Sequence, residues 1–240
     1  MKNNQKIAFF LPTRKGSERV KNKNTRPFAS FDGGLMENKM RQLIETSLVD
    51  EILISTNDEN CIAIASAFSD SRIKVILRPD NLCLSSTNLQ DLISYVCTIT
   101  DAAHILWGHV TTPFVNAADY DDGIVKYSDS LNNGYDSLVG VTELRNFLLN
   151  GDGHIVNNST ELSWPRTQDL EILYEINHTM FIASRSIYLK DKNRLGHNPY
   201  LYLMDKISSF DIDWEEDFLI AEIMYNSIVR KNGNILDERI

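Results

Sequence analysis

Short apolar runs alternate with amphipathic stretches through the first 140 residues, and this alternation constrains the fold more than any other feature of the chain. Ile7 to Leu11 is continuous, apolar and five residues long, and it stops at Pro12, so it reads as a buried β-strand. Glu51 to Ser55, Ile73 to Leu77, His104 to Trp107 and Ser137 to Val141 repeat that character. Between them, Leu35, Met36, Met40, Leu43, Ile44 and Leu48 recur at helical spacing. Asn57 or Asp58 can cap a second helix through Ile62, Ala65 and Phe68. Thr87 can cap a third through Leu92, Ile93, Val96 and Ile99, and Ala117 to Leu131 supplies a fourth. Strands separated by helices need crossover connections, so the pattern predicts an α/β fold: a mostly parallel central sheet with helices on it.

The periodicity breaks between Thr142 and Ile176. Gly151 to Gly153, Asn157, Asn158 and the run Trp164 to Gln168 are turn chemistry, which suits an inserted arm better than a sheet element. Regular character resumes at Met180 to Ala183. Phe210 to Asp213 then precedes a closing amphipathic helix over Trp214 to Ile228. One domain over residues 1–240, with 142–176 inserted, follows from the length and the 42% hydrophobic fraction.

The formal charge is −9, from 24 Lys and Arg against 33 Asp and Glu. Such a mean field repels a polynucleotide or an anionic membrane, but a small anion held by local cations and oriented N–H groups is still permitted. No apolar run approaches the roughly 18 residues of a membrane span, and the apolar run after Lys6 is too short for a signal peptide. Cys61, Cys83 and Cys97 have no metal-knuckle spacing and read as buried free thiols, so the expected location is cytoplasmic. The histidines form no zinc spacing, and there is no GxSxG elbow.

Against the acidic whole, Arg14 to Arg26 holds six Lys and Arg residues and one Glu. Following the first strand, these cations can surround a phosphate chain at the carboxyl end of the sheet, with Gly16 permitting close backbone approach. Solvated surface charge is the competing reading. The loop matches neither the GxGxxG nor the GxxxxGK[ST] pattern. Asp211 and Asp213 fall on one face of an extended segment and can hold a hard divalent cation beside substrate phosphates. Asp213 reads equally well as a helix cap. Arg166, Gln168 and Asn177 can hydrogen-bond a polar acidic substrate or simply occupy the surface. His109, just beyond a strand end, can face a ligand or be structural.

The run Leu11 to Asn24 (LPTRKGSERVKNKN) resembles the P-A-R-x-G-S-K-x-x-x-x-K-N signature of the acylneuraminate cytidylyltransferase family, the CMP-sialic acid synthetases and their legionaminate, pseudaminate and Kdo relatives. The resemblance continues in order through Ser55 and Thr56, Arg78 and Pro79, Thr111 to Pro113, Pro165 and Arg166 with Gln168, Asn177, and Asp211 with Asp213. It implies a Rossmann-like nucleotidyltransferase fold with an arm that exchanges contacts across a homodimer. It also implies Mg²⁺-dependent, or possible Mn²⁺-dependent, transfer of CMP from CTP to the anomeric hydroxyl of a 2-keto sugar acid, in lipopolysaccharide or capsule biosynthesis. By the same resemblance Arg14, Ser17, Lys23, Asn24 and Arg78 contact CTP, and Asp211 and Asp213 bind the metal. Arg14, Lys23 and Asp211 carry the catalysis, and His109, Thr111, Arg166, Gln168 and Asn177 border the sugar.

The chain departs from the family at Glu18, where Lys is common, with Arg19 or Lys21 available to compensate. It departs again from Trp107 to Val110, where His109 stands at a usual Gln, and at His178, where glycine is common. These changes bear on the acceptor more than on cytidyl transfer. N-acetylneuraminate, legionaminate, pseudaminate, a deaminated nonulosonate and 3-deoxy-manno-octulosonate all remain candidates. A sugar phosphate or phosphonate acceptor, and a degenerate nucleotide-binding assembly protein, are the alternatives.

Overall fold

A computed structural model describes residues 5–232, with side chains through residue 228, so the ends of the expected 1–240 domain, residues 1–4 and 233–240, lie outside the described residues. Seven strands form one sheet in the order β3-β2-β1-β4-β6-β5-β7. They are β1 (Ile7–Pro12), β2 (Glu51–Thr56), β3 (Ile73–Leu77), β4 (His104–Trp107), β5 (Ser137–Leu144), β6 (Leu173–Ser184) and β7 (Pro199–Leu203). Only β6 runs against its neighbours. The mostly parallel sheet read from the sequence is therefore present.

The sheet is buried on both faces because side chains alternate along each strand. Ile7, Phe9 and Leu11 join one apolar cluster; Ala8 and Phe10 join the other. The first cluster is closed by α1 (Gly34–Ile44), α2 (Glu59–Ser66), α4 (Ala117–Leu131) and α6 (Glu215–Asn232), through residues such as Met40, Cys61, Ile124 and Phe218. The second is closed by α3 (Leu89–Ile99) and α5 (Arg185–Asp191), through Val96, Cys97 and Tyr188. Helices thus lie on both faces, as expected. The three cysteines are free and buried, and burial pushes the Cys61 thiol up to about 12.

Several boundaries differ from the sequence reading for local reasons. Asn88, not Thr87, caps α3, its side chain accepting from the Gln90 N–H at 3.0 Å; the Thr87 hydroxyl instead donates to Asn81 O. Helix α1 stops at Ile44, and Thr46 turns its hydroxyl back onto Leu43 O. The aperiodic stretch is only partly an insertion: Thr142 to Leu144 extends β5, and Leu173 to Ile176 begins β6. Those residues pair with each other beyond the body of the sheet, so burial periodicity did not mark them. The arm proper is 145–172. Its centre is Asn157, fully buried, which bonds Leu148 N, Asn146 O and Glu171 O.

The reversed strand carries the feature that shapes the site. Val139 pairs with Phe181 and Val141 with Ile176, so four residues of β6, 177–180, stand opposite Gly140 alone. A Cβ on Gly140 would meet Thr179 Oγ1 at 2.2 Å and Asn177 Oδ1 at 2.8 Å, so only glycine admits this bulge. Within it His178 takes a left-handed φ of 59°.

Candidate active site

The carboxyl ends of β1 and β4 open onto a space bounded by the first loop, the segment after Trp107, the β6 bulge and the chain from Met204 to Asp213. The last of these returns along the sheet edge, where Ile212 N donates to Thr111 O at 2.9 Å. This bond sets Asp211 and Asp213 on either side of a fixed Ile212. Lys23 crosses from the first loop, its Nζ donating to Ile212 O at 2.7 Å. Thus the cation and the two carboxylates expected to act together do meet, 189 residues apart in the chain.

Their electrostatics are mutual. Burial lowers the Lys23 pKa, while Asp211 and Asp213 pull it back up. Burial raises Asp211; the Thr111 hydroxyl and the nearby His178 and Lys23 counter that, and Asp213 adds to it. Asp211 Oδ1 is buried with no hydrogen-bond partner, and Asp213 pairs with Arg19 at 2.8 Å. Two carboxylates with one orphaned oxygen fit a hard divalent cation that takes its remaining ligands from phosphates and water. No group of three or more His, Cys, Asp or Glu able to hold a metal occurs among the described residues.

The first loop is less free than its composition suggests. Arg19 is bound to Asp213, Arg26 to Glu215 at 2.7 Å and Lys15 to Glu59 at 2.7 Å. Arg19 thus pairs with Asp213 rather than with the exposed Glu18. Arg14 has only a 3.2 Å bond to Gly16 O, beside the half-buried Ser17. Asn24 spans the loop from its side chain, 3.5 Å from Arg14 O, to its carbonyl, which accepts from Met36 N at 2.8 Å. Gly16 takes φ 82°, and a Cβ there would meet nothing within 4 Å, so its backbone requires glycine while the space above it is open.

Other expected residues stand apart from this cluster. Arg78 is 4% exposed and donates to the carbonyls of Thr13 and Ser55, the latter at 2.7 Å. In this chain it fixes where the first loop leaves the sheet. Asn177 is buried and spent: its amide donates to Thr142 Oγ1 at 3.2 Å and its oxygen accepts from Thr179 Oγ1 at 2.7 Å. Arg166 and Gln168 are exposed on the arm; Arg166 forks onto Asp169 at 2.7 and 2.9 Å, and Gln168 has a single 3.5 Å bond to Thr167. Neither touches the cluster. His109 does border it, with its ring 5.7 Å from that of His178.

Lys39 escaped the sequence reading. It is wholly buried in α1, donates to Thr112 O at 2.9 Å and Tyr120 Oη at 2.8 Å, and burial brings its pKa down to about 7. It holds the loop carrying Thr111. A lysine at an apolar helical position was the available signal. His178 was seen as a departure, and its left-handed backbone explains why glycine is at home there.

Comparison with known proteins places the chain in a family. Residues 8–236 match the family model described as Cytidylyltransferase, and the chain belongs to that family. It is 26% identical over 226 residues to the N-acylneuraminate cytidylyltransferase of Escherichia coli O18:K1:H7, covering 90% of this chain and 51% of that one. It is 25% identical over 233 residues to the CMP-N,N'-diacetyllegionaminic acid synthase of Campylobacter jejuni, covering 91% and 94%. The chain spans about half the length of the curated N-acylneuraminate cytidylyltransferases it matches. Among solved structures, a CMP:2-keto-3-deoxy-manno-octonic acid synthetase complexed with CTP superposes with TM-score 0.64 at 10% identity, covering 92% of this chain and 99% of that one. A 4-diphosphocytidyl-2C-methyl-D-erythritol synthase from Anaerococcus prevotii gives 0.63 at 12%, covering 92% and 96%. These share the nucleotidyltransferase fold.

Proposed function

We propose that the chain transfers CMP from CTP to the anomeric hydroxyl of a nonulosonic 2-keto sugar acid. The anomeric oxygen attacks the α-phosphorus, the bond to the β-phosphate breaks, pyrophosphate departs and the hydroxyl proton is released. The observation that carries this reading is the Lys23 bond to Ile212 O, which brings the first loop against Asp211 and Asp213. Arg14, Ser17 and Asn24 line the open side of that loop as nucleotide contacts, and Lys23 faces the phosphate charge. Asp211 and Asp213 hold Mg²⁺, which when bound neutralises phosphate charge. In the resting arrangement Arg19 and Lys23 occupy the neighbourhood of those carboxylates, so nucleotide entry exchanges their contacts for phosphate ones.

The relatives' names support a sialic-acid-like acceptor, since they include N-acylneuraminate, pseudaminic acid and legionaminic acid enzymes. The arm supports a second copy as partner: Leu149, Val156, Leu162 and Trp164 are exposed apolar side chains on one 28-residue excursion, numbered 145–172, which also bears Arg166 and Gln168. In a homodimer those two polar residues reach the partner's acceptor pocket. No helix among the described residues is long and apolar enough to cross a membrane. The three buried free thiols suit a cytoplasmic location, where the product would supply surface-glycan assembly.

Pyrophosphate release should appear with CTP and at least one keto sugar acid, exceed that with UTP, ATP or GTP, and vanish when divalent cations are chelated. Absence of CTP-dependent release across N-acetylneuraminate, legionaminate, pseudaminate and 3-deoxy-manno-octulosonate would end the proposal. A phosphorylated product mass would move it to a sugar phosphate acceptor.

A further inference from the structure

One cation at the edge of this site has no role in the reading above. Arg194 lies between α5 and β7, in a segment tied down on its far side: the Ser137 hydroxyl donates to Leu195 O, and the Asp136 carboxylate accepts from His197 N at 2.7 Å and Asn198 N at 3.0 Å. Its guanidinium carbon sits 3.8 Å from the ring centre of Phe181 on β6 and 4.9 Å from that of Trp107 on β4. Both rings lie at the carboxyl edge of β4. The side chain is thus held between two aromatic walls.

Among the described residues its polar contact is with His109, at 3.3 Å from Nη1 to Nε2. Arginine has no lone pair to offer, so Nε2 accepts and His109 is neutral with its proton on Nδ1. Burial, followed by the charges of Arg194, His178, Lys39 and Lys23, keeps the His109 pKa well below the ordinary histidine range, in agreement with that tautomer. Among the described residues no carboxylate pairs with Arg194, and Tyr188 is the group that favours its charge. A half-buried guanidinium held between two aromatic rings, with no carboxylate paired to it among the described residues, is placed to take an anion that arrives with a ligand.

We propose that Arg194, positioned by His109 and the Trp107 and Phe181 rings, binds the carboxylate of the acceptor. The inference rests on the proposed function and names its acceptor subsite. The planar fork matches a carboxylate in two parallel bonds, and Arg14, Lys21 and Lys23 already serve the first loop, where the triphosphate belongs. His109 is the positioning residue: its lone pair fixes one edge of the guanidinium and leaves the other for the substrate. Together with Arg194 it forms an anion site walled by Trp107 of β4 and Phe181 of β6, supplied by this chain alone and independent of the arm.

Arg194→Met keeps an apolar stem between the rings and removes the fork, while Arg194→Lys keeps the charge alone. With pyrophosphate release followed at saturating CTP, Arg194→Met should raise the acceptor KM about 10- to 100-fold and leave the CTP KM within about twofold, with Tm retained. Arg194→Lys should fall between wild type and Arg194→Met. His109→Gln, which still offers an acceptor atom, should preserve the acceptor KM better than His109→Leu. Wild type should discriminate N-acetylneuraminate from its methyl ester, and Arg194→Met should not. An unchanged acceptor KM in a folded Arg194→Met, or an equal rise in the CTP KM, overturns the assignment while cytidyl transfer stands. A wild type inert with CTP and every keto acid removes the proposed function, and this subsite with it.

Discussion

The first loop, residues 13–33, and the arm, residues 145–172, look alike as sequence: long, polar, turn-rich and without periodicity. In the fold they are opposites. The first loop buries Val20 and Phe28 completely and is stitched to the body by Lys23 on Ile212 O, Arg19 on Asp213 and Arg26 on Glu215. The arm is organised internally around Asn157 and leaves Leu162 65% and Trp164 77% exposed. One polar segment is tied into the body of the fold, the other presents an apolar surface outward. What separates them is the destination of their apolar residues, a long-range property that local turn chemistry does not record.

The comparison breaks most severely at Lys23. Lys23→Met should lower turnover by roughly 10²- to 10³-fold, the scale of losing a charge-stabilising donor, while thermal unfolding shows a folded protein. Steady-state pyrophosphate release gives the first number and calorimetry the second. If turnover survives, the stitching is structural only and the first loop is no better placed for chemistry than the arm.

Lys39 sharpens the contrast from beneath the first loop. Its pKa falls from 10.5 to about 7 on folding, so between those values the unfolded chain binds more protons than the native one. Stability should therefore be flat in this term below about pH 7 and rise as pH increases above it, by at most about 1.4 kcal/mol per pH unit. Below that window His109, depressed by burial, adds the same sign through the histidine range; above pH 9 the raised thiols of Cys61, Cys83 and Cys97 oppose it. Denaturant unfolding at pH 7, 8 and 9 checks the slope. Lys39→Met should abolish it, and an unaltered slope in that variant would assign the effect elsewhere.

The smallest effect on folding belongs to the arm. Trp164→Ser should change monomer stability by no more than about 0.5 kcal/mol, because the side chain is mostly exposed, yet it should weaken self-association in sedimentation. A large fall in unfolding temperature with no change in association would show that the arm packs on its own body.

Much of the parallel half was legible because β1 to β4 and their helices are local apolar patterns, and the first loop announced itself by charge. The meeting of Lys23 with Asp211 and Asp213 was legible only through the family resemblance, since nothing in the chain between them specifies it. Strand β7 and helix α5 were missed: each is short, and β7 alternates exposed and half-buried residues at the sheet edge. Asn177 and Arg78 were expected at a ligand, and their burial among carbonyls and hydroxyls is invisible to a motif, which records residue type and not which polar atoms are already satisfied. Arg194 gave no signal at all, because a lone arginine in a loop becomes meaningful only when no acid lies near it.

The reversal of β6 places its bulge at the carboxyl edge of the sheet and its amino end in the arm. Pairing on the two sides of the bulge is fixed separately, by Val139 with Phe181 and by Val141 with Ile176. Residues 177–180 are held by contacts of their own, Asn177 to Thr142, Thr179 to Asn177 and Met180 in the core, and the parallel strands that hold the first loop are paired without them. Such a break in the register means that the wall carrying His178 and the parallel strands carrying the first loop are held in place by different contacts.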